Sequence, residues 1–160
     1  WGGVDYFHTL VQEHTRHYKR ILMVGSSMGG TAALMFAALA GRVLSFGPKV
    51  DLRRAHGSFV PSAAHVACSR QIDRGLDQAA RGGTVVALHV GDGNLEDRLQ
   101  AEHARGKASL VTHATFHHNV PMYLEREGQL VRLFKRECDE LLRPVELSRE
   151  GAAGAPFEIQ

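Results

Sequence analysis

The chain is poor in cysteine: Cys68 and Cys138 are its only two, 70 positions apart and without the C-x-x-C spacing of a thiolate zinc or redox site. Two isolated thiols are compatible with a reducing compartment. Long apolar runs are also missing. The longest reach about ten residues, about half of what a helix needs to cross a bilayer, so no membrane span is expected. Nor does charge of one sign prevail, with 19 Lys and Arg against 17 Asp and Glu for a formal net charge of +2. With acids and bases interspersed, nothing points to nucleic acid or an anionic membrane as the main partner. There is no internal repeat, no low-complexity tract and no charged-then-apolar leader. The chain starts at Trp1, which carries the expectation of a processed or partial polypeptide and leaves its compartment open.

What is present suits one domain. With 160 residues, 44% of them hydrophobic, about two thirds of the unfolded surface can be buried around a single core. Residues 1–147 are assigned to that domain and 148–160 to a frayed tail. Apolar runs bounded by turn residues alternate with helical patterns, as in an α/β fold with a mostly parallel sheet. The expected strands are Ile21 to Val24, Val43 to Phe46, Thr84 to Val90 and Ala108 to His113. Helices are expected over Asp5 to Tyr18, Thr31 to Ala40, Gln71 to Ala80, Glu96 to Ala104 and Val120 to Leu142, the last with a break at Gly128. Gly41 is read as a left-handed helix cap. The segment from Lys49 to Gly83 reads as a connection over the rim of the sheet.

The most specific signal is Gly25-Ser26-Ser27-Met28-Gly29, a G-x-S-x-G that follows an apolar run and opens into an Ala-rich helix. This context makes it a nucleophile elbow, in which a strand turns so sharply into a helix that the serine at the apex is strained and exposed. Ser27 is that residue. Gly25 and Gly29 are expected where a Cβ would collide as strand and helix pass. A phosphate-binding G-x-x-x-x-G-K-[ST] loop would need lysine at position 31, which holds Thr31, and a dinucleotide G-x-G-x-x-G would need glycine in place of Ser27. Both fail.

A serine hydroxyl needs a histidine base and a carboxylate that fixes the imidazole's tautomer. Ligand sites in parallel sheets gather at the carboxyl ends of the strands. Ser27 follows the first strand, Asp92 and Asp97 the third, and His117-His118-Asn119 the fourth. The chain order Ser, acid, His fits the elbow. A competing use of the ten histidines is metal binding, through His14-x-x-His17 or His113-x-x-x-His117-His118. Neither is the H-E-x-x-H pattern, so no metal is assigned.

These pieces resemble the second half of the α/β-hydrolase superfamily. The match lies in the elbow Gly25 to Gly30, in Leu88-His89-Val90-Gly91 through Asp97 to Ala101, and in His113 to Val120 with its His-Asn pair. Ser27-Met28-Gly29-Gly30-Thr31-Ala32-Ala33-Leu34, taken with Val43-Leu44-Ser45-Phe46-Gly47-Pro48, is similar to bacterial esterase-like hydrolase domains. The resemblance covers about residues 15 to 135 and is strongest at the elbow. It implies hydrolysis of an acyl ester without metal or organic cofactor, with Ser27 as nucleophile, His118 as base, Asp97 or alternatively Asp92 as acid, and the Met28 N–H in the oxyanion hole. In its H-G-x-x-D pattern the acid would fall at position 94, which holds Asn94.

The resemblance also implies that strands preceding the elbow, and a second oxyanion donor, are missing from this chain. The expected consequence is an elbow strand at an open sheet edge, to be completed by another protein segment or subunit. The alternative function is a catalytically inert interaction or scaffold subunit built on the same fold.

Overall fold

The computed structural model describes residues 3–54 and 62–143. The expected tail 148–160, residues 55–61 of the rim connection and Trp1 lie outside them. Within them four strands form one parallel sheet in sequence order: β1 (Leu22–Ser26), β2 (Arg42–Phe46), β3 (Val85–Gly91) and β4 (Ser109–His113). Six helices flank it: α1 (Gly3–Thr15), α2 (Met28–Met35), α3 (Ala63–Gly82), α4 (Leu95–Glu102), α5 (Val120–Arg126) and α6 (Leu130–Leu142). The fold is α/β, as the alternation of patterns predicts.

Parallel strands laid down in order require same-handed crossovers, which put every connecting helix on one face. Accordingly Ala33 and Leu34 of α2, Ile72, Leu76 and Ala79 of α3 and Ala101 of α4 share one core with Val43, Val86, Leu88 and Val90. The chain after β4 covers the other face. There Val120, Leu124 and Leu133 of α5 and α6 pack on Leu44 and Phe46. Val43 and Leu44, adjacent in β2, serve opposite faces because side chains alternate along a strand.

The helix ends explain where expectation and structure differ. α3 starts at Ala63, eight residues before the expected Gln71, because Ser62 caps it and the His65 ring returns a bond to the Ser62 N–H. Gly41 is not a left-handed cap: α2 stops at Met35, a 3-10 turn spans Ala37–Leu39, and Gly41 donates to the Ile21 carbonyl. Its lack of a Cβ admits Leu141 of α6, whose Cδ1 would lie 2.8 Å from one. The break at Gly128 does occur. Its φ of +64° lies in the left-handed region and separates α5 from α6.

Among the described residues β1 is an edge strand, bonded to β2 alone. Val24 at its middle is 44% exposed, unlike Val43 and Leu44 beside it in β2. α1 buries none of its residues.

Candidate active site

At the end of β1 the chain turns into α2 through Ser27, whose φ of 54° is the one positive φ at a non-glycine among the described residues. Left-handed backbone costs a side-chain-bearing residue on the order of 1 kcal/mol or more, so it persists only where neighbours enforce it. They are evident here. The Ser27 N–H donates to the Phe46 carbonyl at 2.8 Å and its carbonyl accepts from the Thr31 N–H at 2.9 Å. A Cβ at Gly25 would overlap the Gly29 carbonyl, and one at Gly30 would lie 2.8 Å from Ser45 Oγ and 3.1 Å from the Phe46 carbonyl. At Gly29 a Cβ would meet open space. The steric demand expected at Gly25 and Gly29 therefore falls on Gly25 and Gly30, because Gly29 contributes its backbone, not its missing side chain, to the crossing.

The structure brings Ser27, His118 and Asp97 together from three separate strand ends. His118 Nε2 lies 2.9 Å from Ser27 Oγ, and its Nδ1 lies 2.8 Å from Asp97 Oδ2. A carboxylate only accepts, so Nδ1 carries the proton and Nε2 presents a lone pair to the serine hydroxyl. Asp97 is 1% exposed, whereas the His118 side chain is 40% exposed. The carboxylate is sealed from water and the imidazole is partly open to it. Behind His118 stands Gly47, at φ +53°, where a Cβ would come within 2.9 Å of the imidazole Cε1. Glycine there makes room for the ring.

Asp92, the alternative acid, is not at the histidine. It is exposed in the turn after β3, where its N–H donates to the His113 carbonyl and its own carbonyl accepts from Arg98. Asn94 is the N-cap of α4, accepting the Asp97 N–H at 3.1 Å. An N-cap needs a short side-chain acceptor, and the capped helix carries Asp97 three residues on. Met28 opens α2, and the N–H groups of a helix's first turn have no intrahelical acceptor. Its N–H follows Ser27 directly in the chain.

The remaining histidines diverge. His117 is exposed, with its N–H on Thr115 Oγ1. His14 Nδ1 bonds the Leu10 carbonyl, and His17 accepts from Arg16. His113 turns to the α5/α6 face and stacks on His89, with Nε2 3.0 Å from His89 Nδ1. Burial, reinforced by the neighbouring His113, lowers the pKa of His89 to about 4; burial lowers that of His113 too. Among the described residues no three His, Cys, Asp or Glu side chains gather closely enough to hold a metal ion.

Some neighbours of the site carry no motif. Lys49 Nζ lies 2.5 Å from Glu96 Oε1 and 3.5 Å from Asp97 Oδ1, while Thr31 and Gln100 are buried polar side chains bonded to the backbone around Lys49. Their one sequence signal is a polar residue on the apolar face of a helix. No protein-family model matches the chain, and a search of curated proteins finds no match to it.

Proposed function

We propose that this chain is a serine hydrolase of the α/β-hydrolase type that cleaves a small-molecule acyl ester. The observation that carries the reading is one continuous set of hydrogen bonds, from a strained serine through both nitrogens of His118 to a buried carboxylate. Serine is a weak nucleophile unless a base takes its proton as it attacks. Here Ser27 Oγ adds to the ester carbonyl while His118 Nε2 accepts the hydroxyl proton, and Asp97 stabilises the imidazolium. The tetrahedral oxyanion accepts a hydrogen bond from the Met28 N–H. His118 then protonates the departing alkoxide as the carbon–oxygen bond breaks, leaving acyl-Ser27. Water, deprotonated by His118, releases the acid and restores the serine. The cycle draws on no metal or organic cofactor.

The open edge of β1 supports a further element of this reading, a protein segment or subunit that pairs with β1 and brings a second oxyanion donor. The same edge favours the second reading, an inert scaffold whose sheet another chain completes. Turnover separates them. Hydrolysis of 4-nitrophenyl acetate by the protein, lost in Ser27→Ala, is the expected result. Equal rates for the two proteins, or rates at the buffer blank for both when the segment that pairs with β1 is present, would leave only the scaffold.

A further inference from the structure

Resting on that reading, we propose that Lys49 is a positioning residue whose ammonium holds Asp97 in the orientation that serves His118. Asp97 uses Oδ2 for the histidine. Its Oδ1 lies 3.5 Å from Lys49 Nζ. A carboxylate oxygen buried without a partner is costly, and a carboxylate free to rotate cannot keep one oxygen on the imidazole. The Lys49 side chain is only 17% exposed, which distinguishes it from a solvated surface pair of small effect.

The stronger argument is how the backbone of Lys49 is fixed. Its N–H donates to Thr31 Oγ1 at 2.9 Å, and that hydroxyl lies 3.2 Å from the carbonyl oxygens of both Lys49 and Ser27. On the other side, Gln100 Oε1 accepts the N–H groups of Val50 and Asp51 at 2.9 and 2.8 Å, while its amide donates to the Asp51 carbonyl at 3.2 Å. Thr31 is 1% exposed and Gln100 3%. Thr31 sits one turn beyond Ser27 on α2, and Gln100 three residues beyond Asp97 on α4. Two buried polar side chains thus bind one short stretch to the helix of the nucleophile and to the helix of the acid, which fixes the backbone from which Lys49 reaches the carboxylate. Lys49 also bridges Asp97 and Glu96, adjacent carboxylates of like charge.

The test compares wild type with Lys49→Met, Lys49→Gln and Lys49→Arg, with the fold of each checked by circular dichroism. On 4-nitrophenyl acetate, Met and Gln should lower kcat about 10- to 100-fold, as loss of a group that orients an active-site ligand does, with KM little changed. Arg should restore most of the rate. Proton NMR of the His118 Nδ1–H gives a readout independent of turnover: its downfield resonance should be broadened or lost in Met and Gln and kept in Arg. If wild type is inactive, the hydrolase reading fails, and this resonance alone decides the role of Lys49. An unchanged resonance in folded Lys49→Met or Lys49→Gln overturns the proposal, as does unchanged kcat.

Discussion

His118 and the His89–His113 pair lie near the carboxyl ends of the same strands, and their neighbours give them different surroundings. His118 has a buried carboxylate on one nitrogen and a serine hydroxyl on the other, and 40% of its side chain faces solvent. His89 is 1% exposed, lies against Phe46 with ring centroids 4.7 Å apart, and has a second imidazole on Nδ1. Its Nε2 is buried and has no hydrogen-bond partner among the described residues. A histidine becomes a base when something stabilises its charged form next to something to deprotonate. At His89 burial and the neighbouring His113 outweigh the pull of Glu137 and lower its pKa. The cavity beside it, about 310 Å³ and lined by His113, Arg132 and Arg136 among others, adds two guanidinium groups on that side. The same residue type thus serves as a site in one place and as core in the other.

The contrast is broken most severely by removing what only His118 has. Asp97→Asn preserves the shape of the acid and should lower ester turnover by about 10³–10⁴, because the amide no longer enforces the Nδ1–H tautomer. Asp92→Asn should do little. Steady-state rates of the two variants check this, and the reverse pattern would move the acid to Asp92.

The next effect belongs to the His89–His113 pair and is one of stability. A group whose folded pKa is depressed to about 4 from 6.5 binds its proton in the unfolded chain first. Stability is therefore full above about pH 6.5, falls as the pH drops toward 4, and levels off below. The depression of His89 corresponds to about 3 kcal/mol as an order of magnitude. Urea unfolding across that range should show the loss, and His89→Phe should flatten it. Glu137 is pushed up by burial, but its hydrogen bonds from Arg136 and Arg42 outweigh that and lower its pKa, so its own contribution is lost only below the ordinary carboxylate range.

A smaller change should reach His118 and leave the His89 pair alone. Gly47→Ala places a Cβ against the His118 ring, and a displacement of about 1 Å in a catalytic group costs about 10²-fold in rate. Turnover should fall by about that factor, while the slope of stability against pH between 6.5 and 4 stays as in wild type.

Which of these features the sequence discloses follows from the range of the interactions. The four strands are readable because each is a local apolar run ended by turn residues, and the α5/α6 break because Gly128 interrupts a helical pattern. Ser27, His118 and Asp97 could be named because the elbow is a contiguous motif and strand ends converge in a parallel sheet. The demand for glycine at position 30 comes from Ser45 and Phe46 on another strand, and Gly41 is needed for Leu141, a hundred residues away. Local pattern holds no trace of either. The Thr31, Lys49 and Gln100 network is hidden for the same reason. Nothing local marks Asn94 as the helix cap that places Asp97.

The central claim is that Ser27 is an activated nucleophile, and covalent capture tests it most directly. Wild type should react with a fluorophosphonate to gain one phosphonyl adduct by intact mass, mapped to the peptide carrying Ser27. Ser27→Ala should gain none, and its unfolding midpoint should differ by no more than a surface substitution allows, about 0.5 kcal/mol. Equal labelling of both proteins, or an adduct mapped to another residue, would contradict the account.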